Sequence, residues 1–521
     1  MPDLGFSIPE RFNVAEYFVD RNLAEGRGHE TAVIHLDRRL TYGDVAEQVN
    51  RAANAFKNAG MRPLDRVFLL LLDSPAFVTS FWGAIKAGAV PIPTNTLLGS
   101  EEIEFMLRDS RSGCLVVDAR LLEKVEGVLS QPKGEAELQT VFVTGQTGER
   151  PGTLNFELEL ARQPAAANSA PTDRDDPAFW LYTSGSTGRP KAAIHLHHDM
   201  VNCFEHYARG VLRMTASDRT FSTSKLFFAY GLGNALYFPF GAGASTVLLA
   251  EKPTPERIVE ILAKRRPTVF FSVPTVYAAL AEFPDVPAGA FQSVRAAVSA
   301  GEALPAPLWE RCHKRFGISI LDGIGSTEML HMFLSNRLDD IVPGSSGAPV
   351  PGYEARIVDE AGREVATGEV GELLIRGESA AAGYWQRPEL TEATFRNAWT
   401  ATGDKYFRDA RGTFWYCGRS DDMMKVSGMW VSPLEVESAI LAHPAVAECA
   451  VVGVKDGSGL VKPKAFVVAK TGAPLSELEA ELEAFLRSRL PNYKLPKWIV
   501  RVDSLPRTAT GKVQRFKLRS A

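Results

Sequence analysis

The chain has 521 residues, of which 45% are hydrophobic and 23% charged, with a formal net charge of −4 at pH 7. This length exceeds one compact core and predicts about two to four domains, and no stripe of Lys and Arg with interleaved aromatics points to nucleic acid. The five cysteines stand far apart, without metal-site spacing, and no signal peptide is visible, so we expect a cytoplasmic protein with reduced thiols.

Helical and strand-like patterns alternate through the first four hundred residues. Val45, Val49, Ala53 and Phe56 lie on one face of a predicted helix, which the strand-like RVFLLLL follows. The helix-like PAFVTSFWGAIKAG and the strand-like AVPIP come next, and the alternation returns around TVFFSV, SVRAAVSA and GISILDGIG. This pattern predicts an α/β fold with mostly parallel sheets and helices on both faces.

An uncharged stretch of 25 residues runs from Leu226 to Ala250. It is long enough to cross a bilayer, but four glycines and a proline divide it into pieces of strand or short-helix length. We therefore predict a buried interior segment and no membrane partner.

The composition of the sequence changes near residue 420, where the segment GRSDDMMKVSG is polar and rich in turn-forming residues. A smaller α+β pattern follows, including the helix-like LSELEAELEAFLRSRL. We predict a linker here that separates a domain of residues 1–420 from one of residues 421–521.

The segment YTSGSTGRPK lies between the strand-like AFWLY and KAAIHLH. Its glycines, Gly185 and Gly188, allow close approach of the backbone to a ligand, and Lys191 adds a positive charge. Hydroxyl groups that donate hydrogen bonds are supplied by Thr183, Ser184, Ser186 and Thr187. Although the P-loop pattern GxxxxGK[ST] is absent, the segment predicts a phosphate-binding loop.

This loop resembles the phosphate-loop signature of the adenylate-forming superfamily, which contains acyl-CoA synthetases, peptide-synthetase adenylation domains and luciferases. Further motifs of that superfamily follow in order: SAGEALP (299–305), DGIGSTEM (322–329), TGDKY (402–406), GRSDDMMKVSG (418–428) and PRTATGK (506–512). The resemblance covers almost the whole chain. It implies a large N-terminal domain of layered sheets with a small β-barrel-like part, and a small mobile α+β C-terminal domain.

The resemblance implies that a carboxylate attacks the α-phosphate of ATP and that a thiol then displaces AMP from the acyl-adenylate. Thr327 would contact the α-phosphate, Glu328 would bind Mg²⁺, and Lys512 would bridge the carboxylate and the α-phosphate. The remaining residues implied to bind the phosphates, adenine and ribose of ATP are Thr183, Ser184, Gly185, Ser186, Thr187, Gly188, Lys191, Gly301, Glu302, Ala303, Asp322, Asp404 and Arg419.

The resemblance also implies that the C-terminal domain rotates between the two half-reactions, with Asp421 as its hinge residue. Rotation would withdraw Lys512 and bring KVSGMW against the active site. The residues implied to contact CoA are Ser427, Gly428 and Trp430 along the pantetheine tunnel, and Tyr493 and Lys497 at the nucleotide.

The acyl pocket most resembles that of benzoate-CoA ligases, including relatives that act on hydroxy- or aminobenzoates. KLFFAYGLGN has no acidic residue for a substrate α-amino group, which disfavours an amino acid. The implied walls are Phe228, Ala229, Tyr230, Ile324, Gly325, His331 and Met332. Tyr230, His331 and Met332 also fit as plain core residues. Benzoate ligases usually carry isoleucine where this chain has Met332, which leaves ortho- and para-substituted benzoates open.

We therefore expect an ATP-, Mg²⁺- and CoA-dependent aryl-CoA ligase. An aryl-adenylating enzyme that loads a carrier protein is the alternative. A non-catalytic aryl or nucleotide sensor would be expected to lack Lys512, Glu328 or Asp421, and all three are present. A homodimer is compatible with this interpretation, and no nucleic acid is expected as a partner.

Overall fold

The computed structural model describes residues 5–130, 138–146, 148, 150–184, 189–420, 422–426, 429–457, 460–470, 478–507 and 513–519. In this part of the chain, parallel sheets carry helices on their faces, and a smaller α+β unit follows them. The α/β prediction is confirmed.

The first sheet is parallel and consists of β4, β3, β5, β6 and β7 in that order. The elements up to residue 161 are α1 (Arg21–Ala24), β1 (Thr31–His35), β2 (Arg38–Thr41), α2 (Tyr42–Asn58), β3 (Arg66–Leu70), α3 (Pro75–Lys86), β4 (Val90–Pro93), α4 (Ser100–Asp109), β5 (Cys114–Asp118), α5 (Glu126–Leu129), β6 (Thr140–Thr144), β7 (Leu154–Asn155) and α6 (Phe156–Ala161). Helix α2 begins at a capping box of Thr41 and Asp44. It buries the predicted face of Val45, Val49, Ala53 and Phe56.

The second sheet has the order β16-β15-β14-β13-β12-β10-β11-β1-β2 within the described residues. The elements of the chain from residue 162 to residue 349 are β8 (Pro177–Ser184), β9 (Pro190–Leu196), α7 (His197–Cys203), β10 (Arg219–Ser222), α8 (Ala229–Leu232), α9 (Phe238–Ala242), β11 (Ser245–Leu248), α10 (Pro255–Arg265), β12 (Val269–Ser272), α11 (Pro274–Glu282), β13 (Ala296–Ser299), α12 (Ala306–Phe316), β14 (Ile320–Gly325), β15 (Met332–Ser335) and β16 (Ala348–Pro349). Strands β8 and β9 do not belong to the second sheet and form a separate hairpin. Strands β10 to β14 and β1 run parallel. Their carboxyl ends therefore meet at one edge of the sheet.

An antiparallel sheet follows, built from β17, β18, β20, β21 and β22. The elements here are β17 (Glu354–Val358), β18 (Gly371–Arg376), β19 (Gly383–Tyr384), α13 (Pro388–Thr394), β20 (Phe395–Arg396), β21 (Trp399–Arg408) and β22 (Phe414–Arg419). This sheet lies at the position in the chain where the barrel-like part is expected. Among its described residues, no pairing joins β17 to β22, so the strands do not form a closed barrel. Strand β19 instead joins the β8–β9 hairpin.

The C-terminal part is α+β, as predicted. Its elements are β23 (Met424–Val426), β24 (Met429–Val431), α14 (Pro433–Leu441), β25 (Val446–Lys455), β26 (Val461–Ala469), α15 (Leu478–Arg487), β27 (Trp498–Arg501) and α16 (Arg515–Arg519). Val436, Ile440, Val451, Leu482 and Leu486 pack in a core of their own. The domain boundary near residue 421 stays a prediction.

The uncharged stretch from Leu226 to Ala250 folds into α8, a π-helical turn at Gly233–Tyr237, α9 and β11. Leu226, Leu232 and Phe240 are fully buried in the main core. The prediction of an interior segment is confirmed. In the described ranges, no helix combines the length and apolar character that crossing a membrane requires.

Candidate active site

The predicted site residues follow the carboxyl ends of neighbouring parallel strands. Residues 223–230 leave β10, residues 300–303 leave β13, and residues 326–331 leave β14. In an open parallel sheet, ligands bind in the crevice at this edge. The fold therefore brings three separate motifs of the sequence to one place.

The residues before and after the predicted phosphate-binding loop belong to the β8–β9 hairpin, in which Thr183 pairs with Lys191. Tyr182 anchors the hairpin by donating a hydrogen bond from its hydroxyl to Asp109 Oδ2 at 2.8 Å. Trp385 donates to the Asp109 carbonyl at 2.9 Å, which ties β19 to the same anchor. The predicted loop residues Gly185, Ser186, Thr187 and Gly188 lie outside the described residues, and Ser184 is described through its backbone in β8.

Lys191 and Glu328 meet at Tyr384, a residue that we did not predict. Lys191 Nζ donates to the Tyr384 hydroxyl at 2.6 Å, and that hydroxyl donates to Glu328 Oε1 at 2.6 Å. Lys191 Nζ also lies 3.6 Å from Glu328 Oε1. Burial and the neighbouring Glu328 carboxylate raise the pKa of Tyr384. The hydroxyl therefore keeps its proton and links the two charged side chains.

Burial lowers the pKa of Lys191, although Glu328 partly opposes this effect. Both side chains are about five-sixths buried, with exposed fractions of 17% for Lys191 and 16% for Glu328. Charges interact more strongly here than at an exposed surface. A largely buried cation beside a carboxylate suits a site that receives polyphosphate together with a divalent cation.

Tyr384→Phe is expected to raise the KM for ATP about 10-fold, because the variant loses hydrogen bonds to two charged groups. The ring remains, so the contact between Lys191 Nζ and the ring, 3.8 Å from its centroid, is kept. Pyrophosphate release at varied ATP measures the effect. Tyr182→Phe is the matched control, because it removes a hydroxyl from the same hairpin without touching Lys191 or Glu328. An equal change in both variants would contradict a specific role for Tyr384.

The predicted adenine pocket holds a buried acceptor. Asp322 Oδ2 accepts a hydrogen bond from the Leu304 backbone N–H at 3.2 Å. Asp322 Oδ1 is buried without a hydrogen-bond partner among the described residues. Burial raises the pKa of Asp322 to about 8. An exocyclic amine would supply the missing donor, which fits adenine.

The other residues predicted to line the adenine pocket follow β13. Gly301 has a φ of +89°, a conformation that favours glycine. Glu302 and Ala303 follow it and are half-buried.

Asp404 and Arg419, the predicted ribose pair, stand opposite each other on β21 and β22. Arg419 NH1 lies 3.3 Å from Asp404 Oδ1 and donates to the Thr402 carbonyl at 2.8 Å. Gly403 has a φ of +71°, and a Cβ there would lie 2.8 Å from Arg419 NH2. Because residue 403 has no side chain, the Arg419 guanidinium can lie close to the backbone there and reach the Asp404 carboxylate.

The predicted aryl pocket is built around Tyr230 and His331, whose ring centroids lie 5.5 Å apart. The Tyr230 hydroxyl lies 3.3 Å from the Ser272 carbonyl oxygen and 3.4 Å from that of Val298, which fixes the ring against β12 and β13. His331 Nε2 donates to Asn234 Oδ1 at 3.1 Å. Burial lowers the pKa of His331 to about 3, so the imidazole is neutral.

The other predicted walls of this pocket lie on the same two segments. Phe228 and Ala229 precede Tyr230, and Ile324 and Gly325 end β14. A Cβ at Gly325 would lie 2.4 Å from the His331 carbonyl oxygen, so glycine is required by this close approach. Met332 is buried. Its Cε would lie 2.6 Å from a Cβ at Gly323. Residues that we did not predict, Asn234 together with Tyr207 and Phe238, surround the His331 ring.

The predicted hinge residue, the catalytic lysine and the CoA residues belong to the C-terminal part. Asp421, Ser427, Gly428 and Lys512 lie outside the described residues, and Trp430 is described through its backbone in β24. Tyr493 packs against the C-terminal core. Lys497 Nζ lies 3.0 Å from Asp456 Oδ2. Contact of Tyr493 and Lys497 with CoA stays a prediction.

Comparison with known proteins identifies the family of the chain. The AMP-binding enzyme family matches residues 20–385, and the AMP-binding enzyme C-terminal domain matches residues 435–512. The chain is 49% identical over 520 residues to a benzoate–CoA ligase of Thauera aromatica, covering 99% of this chain and 97% of that protein.

Two solved structures are similar over nearly the whole chain. A crystal structure of an anthranilate CoA ligase in complex with anthranoyl-AMP has a TM-score of 0.94 and 43% identity, covering 98% of both chains. A benzoate CoA ligase from Burkholderia xenovorans LB400 has a TM-score of 0.90 and 45% identity, covering 98% of this chain and 100% of that one. The chain belongs to the AMP-binding enzyme family.

Proposed function

We propose that the protein is an aryl-CoA ligase that converts benzoate or a substituted benzoate, ATP and CoA into aryl-CoA, AMP and pyrophosphate. The observation that carries this proposal is the pair of uncharged rings, Tyr230 and His331, that precedes and follows the Thr327–Glu328 motif in the site. We propose that the aryl slot has as its walls Phe228, Ala229, Tyr230, Ile324, Gly325, His331 and Met332. None of these side chains is charged at neutral pH, which favours a flat apolar ring over an amino acid.

The first half-reaction joins two anions, so positive charge and orientation are the main requirements. Glu328 would hold Mg²⁺ through its carboxylate, a hard oxygen ligand, and the metal would neutralise phosphate charge. Lys191 would contact the β- and γ-phosphates together with the hydroxyls of its loop. Thr327 would orient the α-phosphate, and Lys512 would stabilise the charge between the entering carboxylate and that phosphate.

In the second half-reaction the CoA thiol attacks the carbonyl of the aryl-adenylate and AMP leaves. We propose that rotation at Asp421 withdraws Lys512 and brings residues 425–430 to the site. Ser427, Gly428 and Trp430 would then border the pantetheine. A glycine at 428 would keep this channel wide, because any side chain there would narrow it.

Pyrophosphate release with Mg-ATP tests the proposal across benzoate, 2-aminobenzoate, 2- and 4-hydroxybenzoate, cinnamate, acetate and hexanoate, with and without CoA. We expect selective turnover of one or more benzoates, and sustained cycling only with CoA. Activity confined to aliphatic acids would contradict the aryl slot. Cycling with a phosphopantetheinyl carrier protein but not with CoA would favour the carrier-loading alternative.

Met332→Ile is expected to shift the ratio of kcat/KM for benzoate over ring-substituted benzoates about 10-fold toward benzoate. Methionine is longer and more pliable than isoleucine, so it can adjust to a substituent at the edge of the ring. Competition between paired acids measures the ratio. Met106→Ile is the control, because Met106 is equally buried in a different core cluster. The same ratio in wild type and Met332→Ile would contradict a role for Met332 in selectivity.

A further inference from the structure

A buried histidine supports the segment that carries Thr327 and Glu328. His195 is the penultimate residue of β9, and its Nε2 lies 2.8 Å from the Thr327 carbonyl oxygen. Its Nδ1 lies 2.7 Å from Asp199 Oδ2. The side chains of His195 and Asp199 are both fully buried. Phe179 stacks on the imidazole with ring centroids 5.1 Å apart. The ring is therefore fixed from three sides.

Both nitrogens of His195 face oxygen atoms. The Thr327 carbonyl oxygen only accepts hydrogen bonds, so Nε2 donates to it. Burial raises the pKa of Asp199, but hydrogen bonds from His195 and His198 outweigh this effect and lower the pKa below its usual range. The ring therefore bridges a buried carboxylate and the carbonyl of the Thr327–Met329 turn.

Three successive carbonyls of the Thr327–Met329 turn are held from different directions. The Glu328 carbonyl accepts from the Ala381 backbone N–H at 2.8 Å. The Met329 carbonyl accepts from Ser379 Oγ at 2.8 Å. The Thr327 carbonyl accepts from His195, the donor of this set that a buried carboxylate holds in place. His195 is therefore the contact whose orientation is fixed from behind.

We propose that His195, oriented by Asp199, is a positioning residue that fixes the Thr327–Glu328 turn for adenylate formation. The inference rests on the proposed function, in which Thr327 contacts the α-phosphate and Glu328 holds Mg²⁺. His195 touches neither substrate nor metal and acts through the peptide group between these two residues. Second-layer partners of this kind orient the groups that make direct contact.

Two variants distinguish the loss of the hydrogen bond to the Thr327 carbonyl from the loss of the imidazole ring in the core. His195→Asn can keep a donor toward Asp199 but is too short to reach the Thr327 carbonyl. It is expected to lower kcat/KM for ATP in adenylate formation about 10- to 100-fold. His195→Gln can place its Nε2 near the position of the imidazole Nε2, so we expect it to restore part of that loss. His198→Gln is the matched control, because His198 contacts the same carboxylate at 3.0 Å, through Asp199 Oδ1.

Two measurements distinguish positioning from general destabilisation. Binding of an aryl-sulfamoyl-adenosine, followed by calorimetry, is expected to weaken about 10-fold in His195→Asn because the turn faces the linkage that mimics the α-phosphate. The KM for CoA, measured with preformed aryl-adenylate, is expected to stay within about 2-fold of wild type, because CoA binds elsewhere. Thermal unfolding reports any loss of folded protein separately.

The inference is overturned if His195→Asn forms adenylate at the wild-type rate, if His195→Gln is as impaired as His195→Asn, or if the KM for CoA rises in parallel. A loss of equal size in His198→Gln would overturn it as well. Wild-type protein in the same assay tests the proposed function independently. A wild type that forms no aryl-adenylate refutes that function, whereas an active wild type with an equally active His195→Asn refutes the role of His195.

Discussion

Replacing Lys512 with alanine is expected to slow aryl-adenylate formation about 10²- to 10³-fold, the loss typical of removing a group that stabilises transition-state charge. The carboxylate and the triphosphate repel each other as they approach. A lysine between them would offset that repulsion and hold the carboxylate in line with the α-phosphate. Thioester formation from preformed aryl-adenylate should be affected far less, because Lys512 would be withdrawn in that step.

The described residues on either side of Lys512 are joined to each other. An antiparallel bridge joins Arg507 to Val513. The Gln514 N–H donates to the Pro506 carbonyl at 2.8 Å. Just beyond, Arg515 NH2 lies 2.9 Å from both carboxylate oxygens of Glu437, a pair that is largely buried. The described residues before and after 508–512 are therefore paired with each other, and Arg515 ties the later side to α14.

Pyrophosphate exchange measures the adenylation step, and CoA addition to synthetic aryl-adenylate measures the second step. Lys517→Ala is the control, because it removes an exposed lysine from the neighbouring helix α16. We expect wild-type rates for it in both steps. If Lys512→Ala lost both steps equally, the alternation of the C-terminal domain would be contradicted.

The sequence predicts the local elements of this fold because their signals are local. The face of α2 is readable because residues three and four apart share one side of a helix. Sheet order has no such signal. Val33 on β1 pairs with Thr246 on β11, more than two hundred residues along the chain, and nothing in either segment specifies the other. Motif resemblance supplies the domain organisation, which periodicity alone cannot give.

The contrast between local signals and long-range pairing also accounts for which site residues the sequence predicts. Lys191 and Glu328 lie in motifs whose residue types indicate phosphate and metal chemistry. Tyr384 stands 193 positions from Lys191 in the chain. It enters the site through the pairing of β19 with β9, and a tyrosine near a strand is usually a packing residue. His195 lies next to a recognised loop, but its partner, the Thr327 carbonyl, is a backbone group that no residue type reveals.

Glu328→Gln is expected to weaken the apparent affinity for Mg²⁺ about 10- to 100-fold in adenylate formation. The variant keeps the size of the side chain but replaces a charged oxygen ligand with a neutral amide. It also removes the carboxylate that accepts from Tyr384 and stands 3.6 Å from Lys191. Pyrophosphate release titrated with Mg²⁺ at fixed free ATP measures the shift, and high Mg²⁺ should restore part of the rate.

Glu205→Gln is a close structural control for this variant. Glu205 accepts a hydrogen bond from the Tyr17 hydroxyl at 2.6 Å and lies 3.1 Å from Arg209, so it has the same pairing of a tyrosine and a cation. Its carboxylate is 8% exposed and belongs to no predicted motif. Any cost of neutralising a buried, paired carboxylate should therefore appear in both variants as lower thermal stability. A changed Mg²⁺ requirement should appear in Glu328→Gln alone, and an unchanged requirement there would refute Glu328 as the metal ligand.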